Sequence, residues 1–155
     1  MSITGSATAV VPTTPEAVFR TLTKVEGLPS WNDKMTRVVE EPESLRPGAE
    51  WVVEFHVLGR TWRSRSVVDE LDPAQGRFAY RSRTDDGNPS EATWTWGVVA
   101  DPAGTRVTVG WSLRPGTFWR RVLLGRIRAR QLARNEVPAS LAALAAASVL
   151  APTTG

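Results

Sequence analysis

The feature that most constrains this chain is a period of two. From Thr36 to Leu113, apolar and polar residues change places at almost every step, in short segments separated by turn residues. Successive side chains of a strand point to opposite faces of a sheet, so each segment carries its apolar set on one face. Trp51, Val53, Phe55 and Val57 form one such set, with Glu50, Glu54 and His56 opposed. Phe78 with Tyr80, Trp94 with Trp96 and Val98, and Val107 with Val109, Trp111 and Leu113 form the others. Strands are therefore predicted over residues 36–43, 49–58, 60–71, 77–83, 91–100 and 106–113. Arg46-Pro47-Gly48, Gly59, Asp72 to Gly76, Asp85 to Pro89 and Asp101 to Gly104 supply the turn chemistry between them. Such short connections join antiparallel neighbours, giving a meander rather than βαβ units. Within residues 60–71, Trp62 and Val68 share a parity that Leu71 breaks, which predicts an intervening bulge.

The flanks read differently. Residues 2–11 alternate as a first strand, with Ile3, Ala7, Ala9 and Val11 on one side. Thr14-Pro15-Glu16 then opens a helix: Thr14 can cap free amides, Pro15 fits the first helical position and Glu16 complements the dipole. Val18, Phe19, Leu22 and Val25 follow at helical spacing, so this helix should run to about Lys24. Leu28-Pro29-Ser30-Trp31-Asn32 reads as a second, very short helix or turn. After Pro115-Gly116, a helix is expected from Phe118 to about Ala147, kinked near Arg134 by Pro138. Trp119, Leu123, Val137, Leu141 and Leu144 share one side of it, and so do Arg126 and Arg130. These two arginines either meet an anionic ligand group or snorkel outwards along apolar surface. The fold class is thus α+β: a seven-stranded curved antiparallel sheet in the order β-α-α-β6-α, as one domain over residues 1–147, with 148–155 as a frayed tail.

Composition removes whole classes of chemistry. The chain has no Cys and a single His, His56, so disulfides, a thiolate nucleophile, thiolate metal sites and any site needing two imidazoles are excluded. No metal and no cofactor are expected. No apolar run is long enough to span a bilayer, and the first residues lack the pattern of a secretory signal, so cytoplasmic residence is expected. Charge is uneven: 11 Lys and Arg face 15 Asp and Glu up to Asp101, whereas 8 Arg face only Glu136 thereafter. A solvated, Arg-rich helix face is the simpler reading. The alternative is peripheral contact with an anionic membrane through Arg120, Arg121, Arg126 and Arg128. Nucleic acid is disfavoured, because the aromatics fall on the inner face rather than among the basic residues.

Seven Trp in 155 residues exceed what packing alone requires, and four of them, Trp51, Trp94, Trp96 and Trp111, sit in stripes facing the same way. Facing a helix of Leu, Val and Ala, they suit an aromatic-lined pocket for a small molecule. Three local patterns also resemble the START-like, or SRPBCC, superfamily. They are Thr14-Pro15-Glu16-Ala17-Val18-Phe19 leading to Leu28-Pro29-Ser30-Trp31, the stretch from Val67 to Pro73 with Phe78-Ala79-Tyr80-Arg81, and Trp94-Thr95-Trp96 with Gly104-Thr105-Arg106. The resemblance covers about residues 3–147 and is nearest to the polyketide cyclase/dehydratase-like branch.

That resemblance implies a helix-grip fold, in which the sheet wraps the long C-terminal helix around a deep cavity, with Trp31 near its mouth. The expected walls are Trp51, Phe55, Phe78, Tyr80, Trp94, Trp96 and Trp111, beneath Leu123 and Val137. No catalytic motif transfers. Tyr80 is the candidate acid–base group, against a plain structural role, while His56, Glu54 and Glu70 should face solvent. The leading expectation is binding or carriage of a hydrophobic lipid, isoprenoid or aromatic polyketide-like molecule. A cofactor-free cyclase or dehydratase is the alternative, and membrane docking the second; the oligomeric state stays open.

Overall fold

The computed structural model describes residues 3–32, 34–57, 59–84, 91–114 and 137–150. Strand β1 (Ile3–Val11) leads into α1 (Pro15–Thr23), a 3-10 turn (Val25–Gly27) and α2 (Leu28–Trp31). Six strands follow: β2 (Met35–Glu40), β3 (Glu50–Val57), β4 (Arg60–Asp72), β5 (Arg77–Thr84), β6 (Glu91–Asp101) and β7 (Gly104–Arg114). Helix α3 (Val137–Leu150) is the last described element. The strands form one antiparallel sheet in the order β1-β7-β6-β5-β4-β3-β2, so the meander is completed by the first strand returning beside the last. Helix α3 packs on α1, α2 and β1. This is the α+β helix-grip architecture that the sequence predicts.

Local chemistry accounts for the boundaries. Thr14 Oγ1 accepts from the Ala17 amide at 3.2 Å, and Pro15 occupies the first turn of α1. Buried Thr105 on β7 donates its hydroxyl to the Thr13 carbonyl at 2.6 Å, which pins the approach to α1 against the sheet. Strand β2 ends at Glu40 rather than near Glu43, as expected earlier; Pro42 has no amide to give a ladder. The hairpin between β6 and β7 is tighter than expected, with Asp101 paired directly to Gly104. Gly104 is required there: its φ is 135°, and an added Cβ would press on the Val11 carbonyl.

Bulges bend the sheet, as the broken parity in β4 suggested. Val68 pairs with Tyr80 and Glu70 with Ala79, which leaves Asp69 as the extra residue and returns Leu71 to the inner face opposite Phe78. Two further shifts interrupt the β2–β3 ladder. At the C-terminal end, α3 continues through Leu150, so residues 148–150 are helix rather than frayed tail. Ser148 is fully buried there and donates to the Leu144 carbonyl at 2.7 Å, which removes the reason for fraying. Leu141 and Leu144 lie in the core as predicted. The expected kink at Arg134, and Trp119, Leu123, Arg126 and Arg130, lie outside the described residues.

Candidate functional site

Pairing across the sheet arranges the inner face in rows. One row runs Val68, Tyr80, Trp94, Trp111 and Gly5; the next runs Leu71, Phe78, Trp96, Val109 and Ala7. A third carries Trp51, Ser66, Ser82, Ala92, Leu113 and Ile3. The first two rows hold most of the aromatics. The third inserts two small hydroxyl residues between β3 and β6.

Those serines explain how the aromatics meet. Strand β4 separates β3 from β5, yet Trp51 on β3 reaches Phe78 and Tyr80 on β5, with ring centroids at 6.0 and 4.9 Å. It does so across β4 where its lateral neighbour is only Ser66. The Ser66 and Ser82 hydroxyls bond each other at 2.6 Å, which satisfies polar groups beneath the ring. The same parity carries Ser64 and Thr84 inward one step along.

Burial divides the predicted wall in two. Trp31, Trp51, Phe78, Trp96 and Trp111 are packed in the continuous core, together with Val109, Leu141 and Leu144. Trp31 and Trp96 meet edge to face at 5.8 Å, which joins α2 to the sheet. Phe55, Tyr80 and Trp94 instead keep accessible surface on the same face. Trp62 belongs with them: it is stacked on Phe55 at 5.5 Å and 13°. Leu123 lies outside the described residues, and of Val137 only the backbone is described. Ser64, Ser66 and Ser82 are the members of this face that reading the sequence for apolar stripes left out, while Trp62 was read in a stripe with Val68 but not counted among the walls. The Arg-Ser-Arg-Ser run from Arg63 to Ser66 and the Arg-Ser-Arg-Thr run from Arg81 to Thr84 signalled them, since each continues an aromatic parity in hydroxyl residues.

The electrostatics of the interior are those of neutral donors. Desolvation pushes the Tyr80 phenol up to about 12, offset in part by the neighbouring Trp96 indole. Tyr80 thus stays protonated across the physiological range while retaining accessible surface, a combination that fits the wall of a recess. The indole N–H groups of Trp31 and Trp111 are buried without an acceptor among the described residues, whereas that of Trp96 lies beside the Tyr80 oxygen. A buried donor left unsatisfied costs roughly 1–3 kcal/mol, so these two indoles are costly to bury.

The outer face has the opposite character. His56 is exposed and bonded through Nδ1 to Thr61 at 3.0 Å, as its parity predicted. Glu54 accepts from Arg37 and Thr36, which hold its carboxyl below the ordinary value, and Glu70 pairs with Arg77 at 2.8 Å. Arg81 with Asp69, Arg83 with Glu91 and Arg106 with Asp101 continue the pattern. Among the described residues no group of metal-ligating side chains comes together, and no helix is long and apolar enough to cross a membrane. Arg120, Arg121, Arg126 and Arg128, on which the alternative of membrane contact rested, lie outside the described residues.

A family model described as polyketide cyclase/dehydrase and lipid transport matches residues 2–149. The chain belongs to that family. No curated protein matches it by sequence. Among solved structures, an aromatase/cyclase from a Streptomyces species shares 20% identity at a TM-score of 0.68, over 96% of this chain and 92% of its own. A protein from Thermus thermophilus shares 20% identity at 0.72, covering 96% and 97%, and a major latex-like protein from Panax ginseng 7% at 0.70, covering 94% and 97%. At these identities the structural likeness shows the fold alone. Membership of the polyketide cyclase/dehydrase and lipid transport family is what directs attention to the inner face, because both activities in its description act on hydrophobic small molecules.

Proposed function

We propose that this chain binds a hydrophobic, ring-containing small molecule inside the grip, against the inner face of the sheet. The observation that carries this reading is the division of that face. Trp31, Trp51, Phe78, Trp96 and Trp111 form a packed floor, while Phe55, Trp62, Tyr80 and Trp94 keep accessible surface beside it. Aromatic faces with few polar groups are the usual lining of small-molecule sites. Stacking and edge contacts between rings favour flat ligands over flexible ones. Native mass spectrometry of freshly purified protein, followed by tryptophan-fluorescence titration with lipids, quinones and aromatic polyketides, tests the reading. Saturable binding of at least one class supports it. No bound mass and no saturable response from any class would remove it.

One observation favours a second reading in which the bound molecule is also transformed. Tyr80 is a neutral phenol beside the floor, able to donate its proton to an oxygen on which charge develops during cyclisation or dehydration. Such chemistry needs only positioning and proton transfer. Tyr80→Phe should then abolish turnover and leave binding nearly intact.

A further inference from the structure

The sheet has two edge strands, and they are built differently. At one edge, β2 carries Arg37 and Glu40, departs twice from its register with β3 and stops before Pro42. Charges, bulges and proline are the devices that keep an edge from pairing with a further strand. At the other edge, β1 runs from Ile3 to Val11 with no charge, no proline and an unbroken register with β7. Hydrogen-bonding residues alternate along an antiparallel ladder. Val98 gives its amide to Gly76 on the β5 side at 2.8 Å, so Gly97 and Val99 bond towards β7, and Val107, Val109 and Trp111 bond towards β1. Ala9, Ala7 and Gly5 answer those three. The amides and carbonyls of Thr4, Ser6, Thr8 and Val10 therefore point away from the sheet, and among the described residues no other backbone group bonds to them. The same four residues are exposed.

We infer that β1 is an interaction surface for a second copy of this chain, pairing antiparallel with its own counterpart about a twofold axis at Ala7. In that register Thr4 opposes Val10 and Ser6 opposes Thr8 of the second copy, so every edge residue bonds. The pairing makes about eight hydrogen bonds, against roughly ten in a typical protein interface. The close, non-bonded positions fall to Ala7 against Ala7 and Gly5 against Ala9, whose side chains suit strands about 4.5 Å apart there. Charge does not oppose the approach. Beside Thr4, Ser6 and Thr8, β7 presents Ser112, Gly110 and Thr108, and beside Val10 the guanidinium of Arg106 is held by Asp101 at 3.1 Å. Two chains of net charge +3 thus meet along an uncharged strand. Association closes at two copies, because each outer edge is then a guarded β2. One strand edge covers less than the roughly 1,200 Å² of a standard interface, so the dimer is reversible, with a dissociation constant on the order of micromolar.

Sedimentation velocity of the full chain from about 1 to about 500 µM should show one chain mass giving way to two. In ¹⁵N-labelled protein the amides of Thr4, Ser6, Thr8 and Val10 should exchange with solvent roughly ten-fold more slowly at the top of that range than at the bottom. Those of Gly5, Ala7 and Ala9 should stay slow throughout. Ser6→Pro removes an amide that β7 does not use, so it should keep the circular dichroism of the fold and raise the dissociation constant by roughly ten-fold or more. Thr8→Lys changes an exposed side chain and should do the same, which serves if the proline variant does not fold. Mixing Ser6→Glu protein with Thr8→Lys protein should restore the dimer, since the two altered positions face each other in this register. A single chain mass at every concentration would overturn the inference, whether the edge then takes a strand of another protein or none. So would a dimer that keeps its affinity in Ser6→Pro and Thr8→Lys, because it would join through a different surface.

Discussion

A methyl group added to Gly5 tests how tightly the floor of the interior is built. Gly5 on β1 pairs with Trp111 on β7, and an added Cβ would press on Cζ2 of the indole and lie 2.5 Å from its Cε2 and 2.9 Å from its Nε1. Carbon atoms in contact sit about 3.5–4.0 Å apart, so the ring would have to retreat by more than an ångström. Trp111 is packed in the core and has nowhere to go without moving its neighbours. Overpacking of this kind costs about 1–3 kcal/mol. Replacing Gly in a strand returns roughly 0.5–1 kcal/mol of backbone entropy, so the net loss for Gly5→Ala should be about 0.5–2 kcal/mol. At about 2–4 °C per kcal/mol for a domain of this size, the midpoint should fall by roughly 1–8 °C. Gly97→Ala is the control, because nothing lies within 4 Å of its added Cβ. There only the entropy gain operates, and stability should hold or rise slightly. Urea unfolding of both variants, with Gly5→Ala repeated in a Trp111→Phe background, separates the contributions. If Gly5→Ala and Gly97→Ala stabilise equally, the indole is not held over Gly5 and the reasoning fails.

Other consequences can be checked as directly. Tyr80 is the only Tyr, so the ultraviolet absorbance of phenolate reports it alone, and the transition should appear near pH 12 in the native protein. Its folded value is raised above the ordinary one near 10, so the unfolded state loses its proton first; stability should be unaffected below about pH 10 and fall between about pH 10 and 12, by at most about 3 kcal/mol. A native transition near pH 10 would show an exposed phenol. Thr14→Ala should cost about 1 kcal/mol in chemical unfolding through loss of the cap on Ala17, and Thr14→Ser should recover most of it. Ser66→Ala strands the Ser82 hydroxyl and should cost about 1 kcal/mol, whereas the double replacement with Ser82→Ala should be milder than the sum of the two.

Much of the fold was legible because its signals are local. Turn residues mark the strand ends, parity marks the faces, and Thr14-Pro15-Glu16 marks α1, each without reference to the rest of the chain. The bulge at Asp69 was legible too, since Val68 and Leu71 can share a core only if one residue between them is skipped. The errors came where a distant contact decides. Residues 148–155 read as a frayed tail, yet the helix runs through Leu150 with Ser148 buried. Strand β2 was expected to reach residue 43 and ends at Glu40, and there the reason is local, since Pro42 has no amide to give a ladder.

The interior was legible in shape and not in chemistry, and the reason is physical. Period two assigns a side chain to a face whatever its polarity, but reading only apolar residues discards the serines that continue the inner stripe on β4 and β5. Those serines matter because their small size lets Trp51 lean across one strand to the next, where a Leu at position 66 would stop it. The donors are a harder case. A sequence shows that seven indoles exist, but whether an indole N–H finds an acceptor depends on elements far apart in the chain, here α2, β6 and β7.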